Sequence, residues 1–172
     1  MDMGASSLDD IKISGEKQDN IPWVKWSSSL ELGIPRIDSQ HKHLVSMCND
    51  LHEALVQSRA TDKVGWRVAI ATAMRQTVEY ARTHFADEEK LMHACNYKDF
   101  DAHKQQHREF IQTVTKVLVN FDDMTLPLAF DFADYLRDWV LGHVDCDDKQ
   151  YSPVVKAFYQ NLKMQQQNQS DQ

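Results

Sequence analysis

Five histidines recur on the apolar stripes of four separate segments, with two carboxylates beside them: His41; His84 with Glu88; His103 with His107; and His143 with Asp148. A dry core cannot take five unpartnered imidazoles and two bare carboxylates without a large desolvation cost. A fold for this chain must bring the four segments together and give these groups something in common to bind. Taken singly, each histidine reads as an ordinary core or surface residue, and one HxxxH pair arises by chance on long polar helices. The joint pattern is the constraint.

The four segments are long and amphipathic. The first reads as a helix capped by Asp38 and running to about Ser58, with His41, Leu44, Cys48, Leu51 and Leu55 at spacings of three or four. The second, from about Gly65 to Met92, aligns Ile70, Met74, Thr77, Ala81, His84, Glu88 and Leu91. The third, from about Phe100 to Phe121, aligns His103, His107, Phe110, Val114, Val117 and Phe121. The fourth opens near Leu126-Pro127, where proline suits a first turn, and carries Phe130, Ala133, Leu136, Val140 and His143. Short links between long helices predict an all-α, up-down-up-down four-helix bundle over residues 21–163.

The flanks differ in character. Residues 1–20 are polar and acidic, as in a flexible arm, and Ile21-Pro22-Trp23-Val24-Lys25-Trp26 suits an extended segment lying across the bundle. Pro153 is expected to end or kink the fourth helix, with a short amphipathic helix from Val154 to Leu162 after it. Residues 164–172 form a polar, Gln-rich run with nothing to bury, the composition of a tail or linker.

Composition narrows the function. The net charge is −7 and no Lys/Arg block stands out, which disfavours nucleic acid and anionic membrane as partners. Three cysteines without a CxxC pair argue against a disulfide framework and for a reducing compartment. No basic-then-apolar leader and no run of about 20 apolar residues is present, so a cytoplasmic protein is expected.

The chemistry lies in the spacing. His103 and His107, at i and i+4, can reach one ion, and His84 with Glu88 offers a nitrogen and an oxygen from one turn. Imidazole with carboxylate suits iron, whereas a closed zinc site more often includes cysteine. His143 and Asp148 fit less simply: five residues on a regular helix place them about 140° apart. Either a π-bulge brings Asp148 round or it approaches from the side, and regular geometry alone favours Asp147 at i+4. His43, His52 and His93 fall off the cluster and are expected to be structural or solvated.

The pattern resembles the hemerythrins, especially the bacterial ones, through Ile37–Leu44, His84–Met92, His103–His107, and Trp139–His143 on through Asp148 and Tyr151. The resemblance spans roughly Trp23 to Tyr151 and favours Asp148 over Asp147. It implies a hydroxo-bridged pair of iron ions that binds dioxygen reversibly. His103, His107 and His143 would hold one iron, His41 and His84 the other, and Glu88 and Asp148 would bridge. Counting donors then leaves one open position, on the iron with two histidines. Leu44, Phe85, Trp139 and Val140 are expected to keep water from it, and Cys146, three residues past His143, is expected among the pocket residues as a small buried hydrophobe or a redox-active thiol.

Two functions share such a site: an oxygen carrier or store, and an oxygen- or redox-sensing module acting on an output domain or signalling partner through the C-terminal end. The terminal segments lean toward sensing. A di-iron oxidase or peroxidase is the alternative, but the Glu-x-x-His pairs of ferritin-like di-iron proteins are missing from this chain.

Overall fold

The structure, a computed structural model, describes residues 22–61 and 65–170. Four antiparallel helices make the bundle: α1 (Pro35–Thr61), α2 (Gly65–Ala94), α3 (Phe100–Val119) and α4 (Leu126–Gly142). A π-helical turn, His143–Asp148, follows α4 directly and leads into α5 (Lys149–Ser170). Helix α1 packs on α2 and α4, and α2 also packs on α3.

The predicted helices are present, with shifted ends. Helix α1 begins at Pro35, not Asp38, because proline's fixed φ suits a first helical position. Asp38 lies inside the first turn and reaches back, accepting from the backbone N–H of Leu32 at 2.7 Å and of Gly33 at 3.0 Å. Gly33 has φ +75°, so this tight approach needs glycine. Helix α2 closes with Asn96 in the left-handed region (φ 53°). Tyr97 N–H bonds Met92 O at 2.9 Å and Asn96 N–H bonds His93 O at 3.2 Å, the Schellman arrangement. Thr125 caps α4, with Pro127 in its first turn.

Pro153 does not end the last helix. The chain stays helical through it to Ser170, so the expected short terminal helix is a long one, and residues 164–170 of the expected tail lie within it. The carbonyl that loses its partner at Pro153 is that of Lys149, where the ladder is already changing register out of the π turn. From Tyr159 onward every described residue of α5 is exposed.

The Trp23–Trp26 stretch does lie across the bundle. Val24 is buried and exchanges two hydrogen bonds with the Asn49 side chain, at 2.7 and 3.0 Å. Trp23 stacks on His52 at 4.3 Å, giving that histidine a structural role. Ile21 and the arm expected over residues 1–20 lie outside the described residues.

The core is two apolar layers. The larger contains Leu44, Leu51, Leu55, Ile70, Met74, Phe85, Phe110, Val114, Leu136 and Val140 among others. The smaller, at the other end, gathers Leu32, Ile34, Ile37, Met92, Tyr97, Tyr151 and Val155. Along each helix the polar cluster falls between them: His41 between Ile37 and Leu44, Glu88 between Phe85 and Met92, Asp148 between Val144 and Tyr151. Ser152 Oγ–H to Leu32 O, at 2.8 Å, ties the loop before α1 to α5 and closes the smaller layer.

Candidate metal centre

All seven residues converge in the polar layer between the two cores, and none is more than 5% exposed. Helix α1 supplies His41, α2 supplies His84 and Glu88, α3 supplies His103 and His107, and the π turn supplies His143 and Asp148. The π turn decides between the neighbouring aspartates. Its i→i+5 closure brings residue 148 over residue 143, so Asp148 points inward while Asp147 stays half-buried beside His143 Nδ1. The same turn swings Cys146 outward. It is exposed, so it is not the buried hydrophobe expected of it.

The donor atoms form two groups: Glu88 with His103, His107 and His143, and His41 with His84, Glu88 and Asp148. Within each group they lie inside 4.8 Å of one another. Asp148 divides its oxygens between the groups. Oδ1 is 3.3 Å from His103 Nε2 and 3.2 Å from His143 Nε2, while Oδ2 is 3.1 Å from His41 Nε2. Glu88 also reaches both groups: Oε1 is 3.5 Å from His41 Nε2, while Oε2 lies between them, 3.3 Å from His107 Nε2 and 3.5 Å from His84 Nε2.

These groups fit a pair of divalent ions. His107 Nε2 and His143 Nε2 approach to 3.0 Å, the spacing of adjacent donors on one ion; bonds of about 2.1 Å at right angles give about 3.0 Å. Among the described residues, five buried ligand atoms of the cluster have no hydrogen-bond partner: His41 Nε2, Glu88 Oε2, His103 Nε2, and both Asp148 oxygens. Orphaned atoms buried this deeply are unfavourable unless a cation satisfies them.

Protonation follows the same geometry. Burial pushes the His41 imidazolium down, but the close carboxylates of Asp148 and Glu88, 3.1 and 3.5 Å away, outweigh it and hold its pKa at about 9. At His84 burial prevails and the pKa falls to about 4. Burial opposes ionisation of Glu88 too, yet His84, His107 and His41 hold it well below the ordinary carboxylate range.

Sequence reasoning gave one participant no role. Tyr151 O–H donates to Glu88 Oε1 at 2.6 Å in a fully buried contact. Its position three residues past Asp148, on the same helix face, is the signal the sequence offers. Of the expected pocket residues, Phe85 stacks on His107 at 3.8 Å and Trp139 on His143 at 4.4 Å. Leu44 and Val140 are buried one turn from His41 and His143.

Residues 32–155 match the family model described as the hemerythrin HHE cation binding domain. The chain belongs to the hemerythrin family. Its hemerythrin domain is 33% identical over 136 residues to a bacteriohemerythrin of Stenotrophomonas maltophilia (strain R551-3), covering 77% of this chain and 81% of that one. A bacteriohemerythrin of Pseudomonas aeruginosa (strain LESB58) is 34% identical over 135 residues, covering 76% of this chain and 80% of the other. A crystal structure of wild-type hemerythrin superposes with a TM-score of 0.66 at 25% identity, covering 77% of this chain and 98% of that one. Among the described residues no helix is long and apolar enough to cross a membrane.

Proposed function

We propose that the seven buried residues hold two iron ions and that this hemerythrin binds dioxygen reversibly, as a carrier or a sensor rather than as an enzyme. The observation that carries this reading is the uneven donor set. Three imidazoles converge on one side and two on the other, with both oxygens of Asp148 divided between them. Bound there, the iron pair would supply the electrons that dioxygen takes up on binding and returns on release.

The chain's own residues do the rest. His103, His107 and His143 would hold one ion, and His41 and His84 the other, with Glu88 and Asp148 placed to reach both. The two-histidine side has fewer protein donors, so a ligand is accommodated there. Tyr151 fixes Glu88 so that its second oxygen faces His84 and His107. Phe85, Trp139, Leu44 and Val140 wall the cluster with apolar surface, which keeps out the water and protons that would make oxygen uptake irreversible.

A sensing role draws support from the π turn. It carries His143 and Asp148 and continues without a break into α5, which is exposed from Tyr159 onward. A shift at Asp148 would travel along this helix to a partner at the C-terminal end.

The test is oxygen stoichiometry. Reduced, iron-loaded protein should take up one dioxygen per chain in air and return it under vacuum. Uptake that ends in hydrogen peroxide or water would favour the oxidase or peroxidase alternative.

A further inference from the structure

The outer nitrogens of His107 and His143 on one side of the cluster, and of His84 on the other, meet unlike partners. On the three-histidine side, His107 Nδ1 lies 3.4 Å from Glu89 Oε1 and His143 Nδ1 lies 3.4 Å from Asp147 Oδ2. Each carboxylate is held from behind: Lys104 Nζ is 2.7 Å from Glu89 Oε2, and Gln106 Nε2 donates to Asp147 Oδ1 at 3.1 Å. On the two-histidine side, His84 Nδ1 lies 3.1 Å from the carbonyl oxygen of Gln40, a neutral acceptor. The Gln40 amide is oriented by its own donation to Asp87 Oδ2, at 2.8 Å, and Asp87 is held by Arg36 at 2.7 Å. Among the described residues His41 Nδ1 has no hydrogen-bond partner.

An imidazole that donates to a carboxylate becomes a stronger donor through its other nitrogen, and stronger donation favours the more highly charged metal ion. We infer that Glu89 and Asp147 are positioning residues that make the three-histidine ion the easier of the two to oxidise, while Gln40 leaves the other ion the weaker reductant. This rests on the two-iron reading above. It has a functional consequence, because the three-histidine side, with one more protein donor, would leave no position for dioxygen. An ion there would contribute only an electron, and these two outer carboxylates would favour its doing so.

Glu89→Gln and Asp147→Asn test this, since each removes the charge and keeps an oxygen able to accept from the imidazole. A merely structural role for these side chains would survive both changes. The readouts are the midpoint potentials of the iron-loaded protein, with Mössbauer spectra to distinguish the two ions, and the zinc affinity of the metal-free protein. Each variant should raise the potential of the ion oxidised first, by about 59 mV for a tenfold change in ferric-over-ferrous preference. Zinc binding should weaken by about 10–100-fold at one of the two sites. Potentials unmoved in both variants, or moved equally at both ions, would overturn the inference. A wild-type protein that does not load two distinct irons would instead remove the reading on which it rests.

Discussion

The phenol of Tyr151 donates to Glu88 Oε1 at 2.6 Å, between two side chains that are both fully buried. Burial, with the charge of Glu88 and Asp148, holds the Tyr151 hydroxyl well above its ordinary pKa, so it remains a donor across the neutral range. Tyr151→Phe keeps the ring against Tyr97 and removes only this bond. A lost hydrogen bond to a buried charge costs about 1.5–3 kcal/mol, so the metal-free variant should unfold at correspondingly lower denaturant. Unfolding at the wild-type midpoint would mean that Glu88 is held by other groups.

Asp147 and Asp148 are neighbours with different tasks. Asp148→Ala removes the carboxylate nearest to His41, His103 and His143 together, and the variant should lose at least one of the two metals. Asp147→Ala should keep both, weakened by at most about 10–100-fold. Metal content after gel filtration separates them; equal loss in both would contradict the placement of the π turn.

Phe85 stacks on His107 and also touches Phe110 and Trp139 at their edges. Phe85→Ala should destabilise the fold by about 3–5 kcal/mol and admit water. Phe85→Leu fills most of that space at smaller cost. Loss of the oxygenated form to the ferric form, followed by absorbance, should be fastest in the alanine variant and intermediate in the leucine variant. Equal rates in all three would show that this ring does not exclude water.

Metal binding should release protons, and His41 says in which direction. Its pKa in the metal-free protein, about 9, means that it enters binding protonated near neutral pH, whereas His84, at about 4, does not. A ligand imidazole must be neutral, so affinity should rise with pH up to about 9, by roughly tenfold per unit for each proton displaced. Stability of the metal-free fold runs the other way: the raised His41 pKa stabilises it fully below 6.5, and this contribution is lost as pH rises through about 9. Zinc titration calorimetry in buffers of different ionisation enthalpy should find at least one proton released near neutral pH. None released would contradict the assignment of His41.

Helical periodicity made the bundle and six of the seven inward residues legible, because His41, His84, Glu88, His103, His107 and His143 sit at the same three-and-four spacing as the leucines and valines around them. Asp148 was not legible that way. Its orientation depends on one π turn, a backbone choice that leaves no mark on apolar spacing, and only the family resemblance favoured it over Asp147. Cys146 was misplaced for the same reason. Helix continuity through Pro153 depends on that turn as well, since it sets where the missing N–H falls. Gln40, Glu89 and Asp147 went unassigned as outer partners because they sit at the edge of their helix faces, where a polar residue looks like any solvated one.

The visible spectrum of the iron-loaded, reduced protein, followed through one cycle of air and deoxygenation, decides whether oxygen binds reversibly at this site. A charge-transfer band that appears with air and disappears when oxygen is removed is the predicted result. With two irons confirmed per chain, no band in air, or a band that decays and does not return, would contradict reversible oxygen binding at this site.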